Sequence, residues 1–395
     1  MSQNNNTYVQ KELPGSLQKI GLVLLGVGVV GGALHFAIDF QNALFSYLLS
    51  YMFLVSIGVG ALFLVALEYV VNAEWSVPIR RVVENFAFIV PLLIILVIPL
   101  LFNITNIFSW ARAIAPEDKV LQSKTPFLNT SFFLIRTIVV LALWTFFYFI
   151  ITKNSRKQDT SKDQLLTKKN IRYSAIFIPV FALTITMSAI DWMMSLEPHW
   201  YSTIFGVYFF SGCVLASLSV VTFATVMLRE KGFLHPRMTD DHYYSLGALL
   251  FAFINFWAYI AFSQYLLIWY ANLPEETFWF LGRYEGGWVV VSLSLIVIHF
   301  LVPYGILLSQ PAKMDPKRLK FAAIWILLAH YVDLYWLIMP NMHTEHFSIL
   351  SIVLQFAFPT AAIGIVILAF YFRSKNTNLV PVGDPKLEKG LNFKL

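Results

Sequence analysis

Three groups of ionisable residues in this sequence have the types and spacing needed to move protons. Asp191, Glu197 and His199 fall within DWMMSLEPHWYS (Asp191–Ser202), where two acids and a histidine stand among Trp192, Trp200 and Tyr201. Such a set suits a headgroup that releases two protons on oxidation, as a quinol does, because histidine changes charge near neutrality and a neighbouring carboxylate can take up a proton. An interfacial aromatic belt with ordinary turn residues is the alternative. His330 and Asp333 are three apart and share a helical face, with Tyr331 and Tyr335 beside them. His299 stands at a similar depth in the preceding apolar run. These residues read as a proton relay near the middle of a membrane, or as structural hydrogen bonds between helices. His35 and Asp39, four apart, could extend a proton exit at the outer end, and Asp39 also reads as a helix-end loop residue.

Two more charges lie inside apolar runs. Arg136 sits some ten residues into its run and needs a partner or a polar cavity that the sequence does not name, and Glu68 reads as an inner proton entry or an acid reaching the interface. Asp240, Asp241 and His242 look like capping and first-turn residues. His343, Thr344, Glu345 and His346 superficially resemble a metal site, but no third strong ligand accompanies them. Cys213 is the only cysteine, which excludes an internal disulfide and a thiolate-held cluster. Paired histidines can hold haem, but no helix carries the two spaced histidines of a diheme bundle. There is no phosphate-cradling glycine loop and no glycine-flanked serine nucleophile. No metal, catalytic residue or cofactor of the chain's own is expected, so redox chemistry would need partners.

The elements that must position these groups follow from composition. Of 395 residues, 58% are hydrophobic and 13% charged, too few charges to solvate soluble domains of this length. Apolar runs long enough to cross a bilayer, without strand-like alternation, point to an all-α integral membrane fold. Ten spans are expected: Leu17–Ile38, Leu44–Val71, Val82–Thr105, Phe127–Ile151, Tyr173–Ser195, Tyr201–Leu228, Tyr243–Ala271, Gly287–Ser309, Leu319–Met339 and Phe347–Phe372. Pro91, Pro99, Pro179, Pro303 and Pro359 predict kinks within them. The polar start lacks a cleavable signal pattern, so the first helix is expected to be retained. Lys and Arg concentrate on one side, including Arg80, Arg81, Lys153–Arg172, Arg229, Lys313–Lys320 and the tail, which places both termini in the cytoplasm. The net charge of +6 therefore fits a membrane surface and requires no nucleic acid. Residues 1–16 form a cytoplasmic segment, 17–372 the transmembrane domain and 373–395 a tail expected to run along a partner or into solvent; Lys153–Arg172 is expected to be a solvated loop.

The stretches DWMMSLEPHWYSTIFG (Asp191–Gly206) and NFWAYIAFSQYLLIWYANLPEE (Asn255–Glu276) resemble the F-type membrane subunit of bacterial alternative complex III, a quinol:cytochrome c oxidoreductase. That subunit belongs to the NrfD or polysulfide-reductase type of membrane anchor. The resemblance extends over nearly all ten spans. It implies two four-helix bundles, about 44–195 and 201–339, with two flanking helices, in a bacterial inner membrane. It also implies a paralogous membrane subunit, an iron–sulfur subunit and c-type cytochrome subunits as partners, which hold the clusters and haem c. The chain itself would contribute proton translocation, and quinone or quinol binding as a second role. A purely structural anchor for cytochromes and an independent secondary transporter, which also buries acids in kinked helices, are the rival readings.

Overall fold

Apolar stretches of this length satisfy their own backbone groups only as helices once water is excluded. A computed structural model describes residues 8–342 and 348–395, and among these ten helices are long and apolar enough to cross a membrane. They are α1 (Gly15–Ile38), α2 (Phe40–Val70), α3 (Val77–Leu101), α4 (Thr130–Ser161), α5 (Gln164–Leu196), α6 (Phe205–Glu230), α7 (Asp240–Ala271), α8 (Trp288–Ile306), α9 (Pro316–Asn341) and α10 (Ile349–Ser374). The chain is built as a multi-pass membrane protein, with no strand among the described residues. His343, Thr344, Glu345 and His346 lie outside the described residues.

α2 and α6 form the centre. The most apolar stretch of α2 is wholly buried, while the outer faces of α1 and α8 present Val23, Val30, Val290 and Leu293 outward. α2 packs on α3, α5 and α6; α4 packs on α3 and α5; α6 packs on α7 and α9; α8 packs on α7 and α9; α1 lies along α10. Packing in lipid depends on close approach, which small residues permit. At the α2–α6 crossing, a Cβ on Gly60 would collide with the Cys213 carbonyl oxygen and approach Ser217 Oγ to 2.7 Å. Gly60→Val should lower stability by about 1–3 kcal/mol, read as an earlier thermal unfolding midpoint in detergent.

Four of the five prolines sit at breaks. Pro91, Pro99, Pro303 and Pro359 lie in the first turn of the pieces Ile89–Leu96, Ile98–Leu101, Val302–Ile306 and Ala357–Ser374, because the missing N–H and the ring's clash disrupt the turn before each. Pro179 instead sits inside a helix that continues from Gln164 to Trp192.

Two expectations fail at the end of the molecule that carries both termini. Lys153–Arg172 is helical rather than a loop: α4 runs on to Ser161, Lys162 takes φ 52°, and Asp163 Oδ1 caps α5 by accepting from Leu165 N at 2.9 Å. Hydropathy marks where lipid ends, not where helix ends, and Lys, Arg and Gln continue a helix into water readily. The tail folds back onto its own chain. Leu379, Val380 and Leu391 are buried, Asp384 accepts from Arg80 Nη1 at 2.6 Å, and Tyr8 Oη accepts from Leu379 N at 3.0 Å. A short apolar patch in a polar segment is enough to dock it when opposite charges wait on the bundle.

Candidate functional site

The most unusual chemistry is gathered deep in the bundle, where α6, α7, α8 and α9 converge on α2. α8 reaches this point through a π-helical turn, Ile296–Leu301, just before Pro303. Such turns are uncommon and frequent at functional sites. The turn carries His299, which is buried and stacks on Trp257 of α7 with ring centroids 3.8 Å apart. Neither ring nitrogen of His299 has a hydrogen-bond partner.

His330 and Asp333 approach from α9, both buried. Asp333 Oδ1 accepts from Tyr208 Oη at 2.5 Å, and Oδ2 accepts from Trp257 Nε1 at 3.2 Å. His330 Nε2 lies 3.0 Å from Ser56 Oγ, whose hydroxyl donates to Phe53 O at 2.7 Å. That bond leaves Ser56 Oγ as acceptor, which assigns the proton of neutral His330 to Nε2 and a bare lone pair to Nδ1. Nδ1 has no partner. The ring fits because α6 presents Gly212, where a Cβ would stand 2.7 Å from His330 Cε1. The ligand atoms of His299, His330 and Asp333 lie within 4.8 Å of one another, so the three form one cluster. Its donor set could meet a metal, but both Asp333 oxygens already accept protein hydrogen bonds. At the same level of α9 but on other faces, Tyr331 Oη lies 3.3 Å from Ser50 Oγ and Tyr335 packs on Trp288.

Arg136 finds its partner in Asp191. The pair is bidentate, Nε to Oδ2 at 2.7 Å and Nη2 to Oδ1 at 2.8 Å, and both residues are buried. Arg136 Nη1 also donates to Phe127 O at 2.9 Å, and the guanidinium lies over the rings of Phe127 and Phe132. This geometry fixes both side chains and leaves Asp191 little freedom to meet a ligand.

Glu197 and His199 are not joined to Asp191 by any hydrogen bond among the described residues. His199 is exposed and meets Asp118 Oδ2 at 2.8 Å and Glu197 Oε1 at 3.4 Å. The Leu121 amide, and after it His199, holds the Asp118 carboxyl below its usual range. Beside Tyr51 and Trp192 there is a cavity of about 10 Å³, room for about one water and too small for a quinone ring. Tyr51 Oη is buried there without a partner.

His35 and Asp39 are linked through Ser351 of α10, which accepts from His35 Nε2 at 2.9 Å and donates to Asp39 Oδ2 at 2.8 Å. Asp39 also caps α2 through Asn42 N. Glu68 belongs to the opposite end, where Arg80 Nε donates to it at 3.2 Å while the same guanidinium holds Asp384 of the tail. The capping reading of α7 fits: Thr239 and His242 form a reciprocal box, and His242 Nε2 reaches Gly390 O at 3.0 Å.

Sequence reasoning missed Tyr208, Ser56, Asp118, Ser351 and Arg283, which gave no signal without knowing which helices touch. Trp257 lay inside the motif Asn255–Glu276 but carried no assigned role. Arg283 is buried against Trp279 at 3.4 Å and donates to the carbonyls of Trp279, Trp336 and Leu337, the last two near the end of α9. Removing it in Arg283→Ala should cost about 2–3 kcal/mol, because the Trp279 and Trp336 carbonyls lose their side-chain donor while Leu337 O keeps Asn341 Nδ2. Arg283→Lys should recover only part of the lost thermal stability, since a point ammonium cannot span the planar fork's partners. No family model and no curated protein matches the chain.

Proposed function

We propose that this chain is the F-type membrane subunit of a respiratory quinol:cytochrome c oxidoreductase of the alternative complex III kind, and that its helices carry protons without bearing a redox centre. The observation that carries the reading is the His299, His330 and Asp333 cluster. Buried polar atoms without partners cost about 1–3 kcal/mol each, and a phenylalanine at position 299 would stack on Trp257 without that cost. An imidazole kept there, with both nitrogens free and a carboxylate and second imidazole within reach, suits a group that must gain and lose a proton.

The helix neighbours support the same family. α2 packs with α3 and α5, and α6 with α7 and α9, neighbours that the two four-helix bundles of the resemblance would bring together, while α2 and α6 also pack on each other. The Lys- and Arg-rich end carries both termini and faces the cytoplasm in this reading. Haem c and iron–sulfur clusters reside in partner subunits. The side chains expected at a quinol headgroup, Asp191, Glu197 and His199, hold partners of their own, which favours proton transfer over quinone binding as this subunit's task.

Affinity purification of the tagged chain from native bacterial inner membranes in mild detergent tests the assignment. A paralogous membrane subunit, an iron–sulfur protein and c-type cytochromes should come with it. Isolation of the chain alone, active in substrate uptake, would instead establish a transporter.

A further inference from the structure

At the end of the molecule that carries the termini, the carboxylates and guanidiniums are unevenly matched. Arg80 has Glu68 and Asp384, and Arg81 takes Asp159 at 3.0 Å and Glu84 at 3.3 Å. Arg156 of α4 and Arg373 of α10 form no ion pair among the described residues. They are neighbours: Arg156 Nη2 donates to the Arg373 carbonyl at 3.1 Å and to Asn85 Oδ1 at 3.0 Å. Arg373 has one long contact, Nη2 to Thr152 Oγ1 at 3.5 Å, and rests against the rings of Phe88 and Tyr148.

Glu84 and Asp159 stand nearby but are held by Arg81, so Arg156 and Arg373 are two neighbouring guanidiniums with no ion pair of their own among the described residues, and such a pair can take an anion with several acceptor oxygens. The Nε atoms of both are buried without an acceptor, whereas the side chains as a whole are half-buried and so open to the outside. What lies outside at this level is fixed by the flanking residues. Phe149 of α4 and Phe372 of α10 are each about half exposed, at 49% and 50%, and face the apolar surroundings of the bundle. The site therefore offers charge flanked by aromatic surface, with Phe372 beside Arg373 and Phe149 about two turns further along the helix from Arg156, an arrangement that can receive a phosphate headgroup with its acyl chains.

We propose that Arg156 and Arg373 bind the phosphate of an anionic glycerophospholipid in the cleft between α4 and α10, with the acyl chains lying along Phe149 and Phe372. The inference needs only the membrane-spanning fold and is independent of the proton-carrying role. A lipid held here ties α10, and through it the α1–α10 pair, to α4.

The test is native mass spectrometry of the full chain, delipidated and then titrated with phosphatidylglycerol, phosphatidylcholine or inorganic phosphate. The wild type should retain phosphatidylglycerol at least tenfold more than phosphatidylcholine, and inorganic phosphate should not displace it. Arg373→Gln is the decisive variant: Arg156 bonds to the backbone carbonyl at 373, so its own contacts survive the change. This variant should keep the wild-type unfolding midpoint when both are delipidated, and lose the preference. Lys375→Gln, on the exposed end of the same segment, should keep it. Equal retention of the two lipids by the wild type, an unchanged preference in Arg373→Gln, or displacement by inorganic phosphate would each overturn the assignment, the last in favour of a free-anion site.

Discussion

Arg136→Ala should destabilise the protein by about 3–5 kcal/mol, the cost of leaving a buried carboxylate without its partner. The wild-type guanidinium neutralises Asp191 through two short parallel bonds, caps the Phe127 carbonyl and lies over two phenylalanine rings, so alanine removes charge, hydrogen bonds and packing at once. Asp191→Ala should cost a similar amount by stranding the arginine. The double change Arg136→Met with Asp191→Leu should cost far less than either single change, because a buried pair replaced by apolar side chains of similar size is often neutral. Thermal unfolding of the four proteins in detergent gives the comparison. If Asp191 were instead a working proton acceptor, the double variant would be stable but inactive; the bidentate lock leads us to expect a stable variant whose proton movement stays near wild type.

Asp333→Ala should have an effect of similar size, about 2–6 kcal/mol. Among the described residues the carboxylate is the sole acceptor for two buried donors, Tyr208 Oη and Trp257 Nε1, and each donor left without an acceptor costs about 1–3 kcal/mol. Tyr208→Phe combined with Asp333→Ala should restore part of the loss, since one of the stranded donors is then gone. Failure of the second change to restore any thermal stability would show that Tyr208 does not depend on this carboxylate. Asp333→Asn retains one oxygen for Tyr208 but turns an amide donor toward the indole N–H, so its stability should fall between wild type and alanine.

The sequence carried some of this and could not carry the rest. Ten apolar runs marked the ten spans because helix and lipid make the same demand on residues that must avoid water. Their ends drifted where helix continued beyond lipid, as at Lys153–Ser161, and the docked tail was missed because seven apolar residues scattered through a charged segment resemble solvent-exposed chain. His299, His330 and Asp333 stood out singly, since a titratable group in an apolar run is costly wherever it points. That the three meet was half legible: spacing places His330 and Asp333 on one face, but only the crossing of α8 and α9 brings in His299. Arg136 announced only that it needed a partner or a polar cavity, and the sequence did not name Asp191 as that partner. Tyr208 and Ser56 were silent, because a tyrosine or serine in an apolar helix declares nothing about the neighbour it will bond.

The central claim is that the buried cluster carries protons, and His299→Phe tests it with two readings that move in different directions. Phenylalanine keeps the stack on Trp257 and removes two unpartnered nitrogens, so the fold should be as stable as wild type or more so. The measurement is the number of protons moved per electron by the assembled complex in sealed vesicles. We expect His299→Phe to lower that number by the whole contribution of this subunit while the complex remains intact. An unchanged proton count in an intact His299→Phe complex would contradict the account and leave the cluster a structural feature of the bundle.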